Sequence, residues 1–266
     1  MRSILFAIAY YAISITHVLA AAVAALRPGR GAVRRVINRY GKRMVWAMRV
    51  FAGIQLEVRG RERLPADGAF IIAPKHQSWG DGFCSFSQFD DVAFVTGDHL
   101  ERFPLFKPIL RKLGAIVVDN CGGPEARKAM STAAAEAHKE GRKILIYPEG
   151  HLAPVGVRYR YRTGVFYMSR DFEMVVVPVA TNLGCFWPQQ SFWKKPGTAI
   201  IEFLDPIPTG LHRTDFLARL EQVIEDRTAE LVAEATGKPV TPSVLEVPDA
   251  ERERAEARKT KAEEPA

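Results

Sequence analysis

Two residues in the segment 74–81 (PKHQSWGD) have types and spacing that could do chemistry: His76 and Asp81. A histidine can take a proton from a hydroxyl near neutral pH. A carboxylate beside it fixes the tautomer and stabilises the imidazolium that forms. The two lie five positions apart, which misses the three- or four-residue spacing of one helix face but suits a turn. No Gly-x-Ser-x-Gly elbow accompanies them, so the activated hydroxyl would belong to a substrate. Alone, the same pair also reads as a turn histidine beside a helix N-cap aspartate.

The flanking sequence supplies the turn. Upstream, 69–73 (AFIIA) is an apolar run of buried-strand length, and downstream 82–86 (GFCSF) can open a helix. Further strands are expected at 54–60, 92–95, 115–118, 143–147, 174–179 and 198–204. Helices are expected at 124–140, which opens on Pro-Glu and stops at Gly141, and at 214–235, with apolar residues at helical spacing. The segment 103–113 (FPLFKPILRKL) reads as a broken helix over the site or a membrane-facing patch. Strands alternating with helices predict an α/β fold with a mixed, mostly parallel sheet flanked by helices.

The chain has 266 residues, 47% of them hydrophobic, and a formal net charge of +7. Such a basic chain suits nucleic acid or anionic lipid. With no zinc spacing, RNA-binding aromatics or basic recognition helix, nucleic acid is set aside, and the apolar N-terminus favours a membrane surface. Cys84, Cys121 and Cys185 are widely separated and give neither a metal pattern nor an even disulfide set, as in a reducing compartment. Residues 3–26 carry no charge, enough to span a bilayer or lie in one leaflet. Cations follow at Arg27, Arg30, Arg34, Arg35, Arg39, Lys42 and Arg43, against Arg2 alone before. That bias puts the main domain on the cytoplasmic side. Residues 34–54 read as an amphipathic helix at headgroup level, with Trp46 near the interface. Three parts are expected: membrane-anchoring helices at 1–53, a main domain at 54–240, and a charged, disordered tail at 241–266.

Four blocks then appear in order, each at a strand end: His76-x4-Asp81, Gly114-Ala-Ile-Val-Val-Asp119, Tyr147-Pro148-Glu149-Gly150 and Val177-Pro178-Val179. With Phe186-Trp187-Pro188 and Pro206-Ile207-Pro208, the chain resembles the membrane-bound glycerolipid acyltransferases, in particular the bacterial 1-acyl-sn-glycerol-3-phosphate acyltransferases, from its N-terminus to about residue 235. The resemblance implies transfer of a fatty acyl group from acyl carrier protein or coenzyme A to the sn-2 hydroxyl of a membrane lysolipid. No cofactor or metal is implied beyond the acyl donor, and the implied location is the inner membrane. His76 would be the general base and Asp81 its orienting partner, with backbone N–H groups near Gly150 or after Asp81 for the oxyanion. Glu149 and Gly150 match the family's substrate-binding block.

Departures fall where the family holds phosphate. Glu149-Gly150 continues with His151-Leu152 rather than Thr-Arg, Asp119 is followed by Asn120 rather than Arg, and Thr96-Gly97-Asp98 has no lysine. Each missing cation would have given charge-assisted hydrogen bonds. Lys75, Arg158, Arg160 and Arg162 are the candidate replacements for substrate binding. As a strand, 158–162 (RYRYR) would put its three arginines on one face, though a solvated edge strand carries the same pattern. The alternatives are a different lysolipid acceptor, such as lyso-ornithine lipid, or a lipid-binding relative that has lost activity. His99 and His138 have no evident partner, and Cys84 reads as a packed thiol.

Overall fold

The computed structural model describes residues 1–118 and 124–245. Asp119, Asn120 and Cys121, and residues 246–266 of the expected tail, lie outside the described residues.

Seven strands form one sheet in the order β1-β8-β7-β2-β5-β3-β4. They are β1 (Ile54–Arg59), β2 (Ile71–Pro74), β3 (Val92–Gly97), β4 (Ile116–Val118), β5 (Lys143–Leu145), β7 (Val176–Thr181) and β8 (Gly197–Phe203). Every pairing is parallel except β7 with β8, so the sheet is mixed and mostly parallel, as the sequence predicts. A separate small ribbon pairs β6 (Val157–Tyr159) with β9 (Ser243–Leu245), so three residues of the expected 241–266 tail are a strand.

β2 lies between β5 and β7 and is buried along its whole length, which is why 69–73 is an unbroken apolar run. Its side chains alternate between two cores. On one face, Phe70 and Ile72 pack with Leu145, Val177, Val179 and Phe203. On the other, Ile71 and Ala73 pack with Ile144, Val176, Phe166, Phe216 and Ile224. Each large side chain so buried stabilises the fold by about 1.5–3 kcal/mol.

The first core is closed by α1 (Arg2–Ala25), α2 (Gly31–Ala47), a π-helical turn (Met48–Ala52) and α3 (Asp81–Phe86). Phe6, Met44 and Met48 join the sheet residues directly, so the N-terminal hairpin shares one core with the main domain. The second face carries α5 (Pro124–Lys139), α6 (Gly164–Asp171) and α7 (Arg213–Thr236). Segment 103–113 does not form a broken helix: α4 runs uninterrupted from Phe106 to Leu113. Its Ile109 and Leu113 pack against Ala21 and Ala24 of α1.

Candidate active site

β2 and β5 are parallel neighbours at the centre of the sheet, and the turns leaving their carboxyl ends carry residues 75–81 and 146–153. Crevices outside the carboxyl ends of parallel strands are where α/β sheets hold ligands. Both sequence blocks richest in polar groups meet there.

The Asp81 carboxylate organises the first turn. One oxygen, Oδ2, accepts the backbone N–H groups of Gln77 at 2.7 Å and Ser78 at 2.8 Å, and also lies 2.9 Å from His76 Nδ1. A carboxylate can only accept, so Nδ1 carries the hydrogen and Nε2 keeps a lone pair. Asp81 is buried while the His76 side chain is 20% exposed, so the base end of the pair is the accessible one. The Tyr147 ring stacks on the imidazole with centroids 3.9 Å apart and planes at 20°, fixing the ring plane. Burial, with Asp81 nearby, keeps the Tyr147 phenol well above its usual pKa and so protonated. Gly80 is required by packing: a Cβ there would sit 2.7 Å from the Trp187 ring. Trp187 in turn meets Phe6 of α1 edge-on at 4.9 Å, linking the turn to the N-terminal helix.

Of the eight residues expected to act, six lie in or against this crevice, but not all face a substrate. Lys75 is a correction. Its ammonium is fully buried and gives its hydrogens to Glu149 Oε2 at 2.9 Å, Glu225 Oε1 at 2.8 Å and the Val157 carbonyl at 3.0 Å. Three donors with three partners leave none for a phosphate. Glu149 is also fully buried. It accepts the Tyr159 N–H at 3.0 Å through Oε2 and the His76 N–H at 3.3 Å through Oε1, so it binds the site's own backbone. Burial first, and then the second carboxylate of Glu225, push its pKa up to about 7 against the pull of Lys75.

The three arginines do not form one clamp. β6 ends at Tyr159, and although Tyr159 and Tyr161 point inward as the alternation predicts, Arg158 is paired with Glu221 of α7. Arg160 is exposed. Arg162 turns the other way, with Nη2 2.6 Å from His151 Nε2 and its side chain lying over Gly150. Gly150 sits at φ 71° with its N–H given to the Tyr147 carbonyl, so that N–H is taken up within the turn and is not left for an oxyanion. Sequence reading gave Tyr147 and Tyr161 no role of their own and missed Glu225. Glu225 stands on a helix far along the chain from Lys75, and no local pattern announces such a pairing. Among the described residues there is no cluster of three or more metal-ligating side chains. Cys84 is buried, and burial pushes its thiol pKa far up, so it is an inert packing residue.

Residues 55–182 match the acyltransferase family model. The chain is 30% identical over 212 residues to the 1-acyl-sn-glycerol-3-phosphate acyltransferase of Pseudomonas aeruginosa, covering 80% of this chain and 82% of that one. It belongs to the acyltransferase family. The human 1-acyl-sn-glycerol-3-phosphate acyltransferase beta is a more distant relative, 26% identical over 66% of this chain and 65% of its own length. The crystal structure of the 1-acyl-sn-glycerophosphate acyltransferase PlsC from Thermotoga maritima shares the fold. Its TM-score is 0.71 at 21% identity, over 88% of this chain and 98% of that one. The present protein is therefore an O-acyltransferase, built on the same mixed sheet with an apolar N-terminal helix.

Proposed function

We propose that this acyltransferase moves a fatty acyl group from a thioester of acyl carrier protein or coenzyme A to the sn-2 hydroxyl of 1-acyl-sn-glycerol-3-phosphate, giving phosphatidic acid. The observation that carries the reading is the His76–Asp81 contact, with the imidazole partly exposed and the carboxylate buried behind it. His76 Nε2 takes the hydroxyl proton as the acceptor oxygen bonds to the thioester carbonyl carbon. The tetrahedral intermediate then collapses, the C–S bond breaks, and the departing thiolate recovers the proton from the imidazolium. Asp81 holds the ring and stabilises its positive charge without taking a proton itself. The names of the Pseudomonas and human relatives support this acceptor.

One observation favours a second reading, an acceptor other than lysophosphatidate. Two of the four candidate phosphate cations, Lys75 and Arg158, are bound to carboxylates of the protein itself. The deciding experiment offers purified enzyme an acyl thioester with lysophosphatidate, lyso-ornithine lipid and headgroup-bearing lysophospholipids in parallel, and follows thiol release. Fastest turnover with lysophosphatidate, lost in His76→Ala, is the expected result. Preference for another acceptor replaces the first reading with the second. No His76-dependent transfer to any of them would leave a lipid-binding relative.

The acceptor is a membrane lipid, and the surface fits one. Phe6, Tyr10, His17, Ala21 and Ala24 of α1 face the body, while Ile4, Ile8, Tyr11, Ile15, Leu19 and Val23 are exposed along the opposite side. Both ends of α1 rest on the same body, on Trp187 near its start and on α4 near its end. That supports a helix lying within one leaflet rather than crossing, with the catalytic domain on the cytoplasmic side of the inner membrane. Exposed Phe192 and Trp193 extend the apolar face, joined to α1 by a bond from the Lys194 N–H to Ser3 Oγ at 2.9 Å. Trp79, three residues past His76, is exposed as well.

A further inference from the structure

A buried polar cluster lies beside the catalytic pair and is not part of it. Beneath the His76 turn, Lys75, Glu149 and Glu225 form a triad with side chains no more than 6% exposed. The triad joins four elements. Lys75 follows β2, Glu149 follows β5, and Glu225 comes from the middle of α7. The ribbon strand β6 contributes the Val157 carbonyl to Lys75 and the Tyr159 N–H to Glu149. Tyr161 donates its hydroxyl to Glu225 Oε1 at 2.9 Å, the same oxygen that receives Lys75.

Burying three charges is costly, and such clusters often add little or nothing to stability compared with apolar packing. Here the arrangement leads directly to the reacting residue. Glu149 Oε1 receives the His76 N–H, and Lys75 is covalently next to His76. Lys75 and the Tyr159 N–H together hold Glu149 Oε2, which leaves Oε1 aimed at the His76 N–H. Lys75 in turn would be misplaced without the carboxylate from α7.

We propose that Lys75 and Glu225 are positioning residues for the transfer reaction. By fixing the Glu149 carboxylate, they set the place of the His76 backbone relative to β6. This rests on the reading of His76 as general base. It assigns α7 a part in the reaction through Glu225, which touches Lys75 and Tyr161, and it moves Lys75 from the substrate to the scaffold. A displacement of the imidazole by about 1 Å costs on the order of a hundredfold in rate, because proton transfer needs a near-attack geometry. The binding of lipid and thioester, made elsewhere, is left largely as it was.

The test is steady-state kinetics of purified variants, normalised to the folded fraction. Lys75→Met keeps much of the chain length but leaves two carboxylates without a cation. It is expected to lower kcat by roughly thirtyfold or more while KM for the lysolipid stays within about threefold. Glu225→Gln keeps an acceptor oxygen for Lys75 and Tyr161 and is expected to lower kcat by about three- to tenfold, again at near-constant KM. Lys75→Met combined with Glu225→Leu should be no slower than the slower single variant, as for residues acting through one contact. Wild-type kcat in the folded fraction of Lys75→Met, or a rise in KM with kcat unchanged, overturns the proposal. If Lys75→Met does not fold, Glu225→Gln and Tyr161→Phe decide: unchanged kcat in both overturns it. His76→Ala is run alongside. If that variant is as active as wild type, the general-base reading has failed, and this inference with it. If only the triad variants are fully active, the base stands and the positioning role falls.

Discussion

Three hydrogens converge on one oxygen of Asp81, and that convergence makes the residue more than a partner for the imidazole. Asp81→Asn would present an amide to Nδ1. Where its NH2 faces the ring, Nδ1 must become the acceptor and the hydrogen moves to Nε2, the wrong tautomer for a base. At the same time the Gln77 and Ser78 N–H groups lose a charged acceptor. The expected outcome is a kcat loss of about 10²–10⁴-fold with a smaller change in KM, measured as thiol release from the acyl donor. Full activity of that variant would remove Asp81 from the mechanism. The residue types at this turn, and their five-residue spacing, are local facts, which is why the pair is legible in the sequence. Lys75 was misread for a related reason. A cation next to a catalytic histidine suggests a phosphate ligand until its burial and its distant carboxylate partners are seen.

The elements show the same division between local and long-range information. The strands flanking the site, β2, β5 and β7, are three to six residues of largely apolar sequence, and composition with the flanking turn residues finds them. β6 and β9 are three residues each and come from segments far apart in sequence, so no local pattern announces that they pair. In 158–162 the alternation is real, with tyrosines inward and arginines outward, yet it does not make a clamp because α7 offers Glu221 to Arg158 and the turn after Gly150 offers His151 to Arg162. The junction of β2, β5 and α7 also carries a pH dependence. Glu149 has a folded pKa of about 7 against 4.5 for an ordinary glutamate. A raised carboxylate favours the folded state most when protonated. Its contribution is complete below about pH 4.5 and is lost as the pH rises through about 7. Melting temperatures of wild type and Glu149→Gln, compared from pH 5 to pH 8, should converge in slope only where that titration is finished. Parallel curves over the whole range would contradict the shift.

At the scale of the molecule, apolar side chains are exposed on α1, on the 192–193 loop and at Trp46 and Val50. Soluble monomers rarely show so extended an apolar surface, and aromatic side chains rimmed by cations suit the level of lipid headgroups. Replacing both Phe192 and Trp193 by Ser is expected to weaken binding to vesicles containing anionic lipid by about three- to tenfold, measured by co-sedimentation. Turnover with a monomerically dispersed lysolipid should be unchanged. Equal vesicle binding by the variant would restrict the contact to the helical hairpin. The net charge of +7 suits such a surface.

The seating of α1 has a practical consequence for anyone wishing to handle the enzyme without detergent. Phe6 is 2% exposed against Trp187, and Ala21 and Ala24 cover Ile109 and Leu113. Trimming away residues 1–26 would therefore not yield a water-loving catalytic fragment. It would strip a wall from the interior, uncover the packing beneath the histidine turn, and give a product that aggregates more readily than the intact chain.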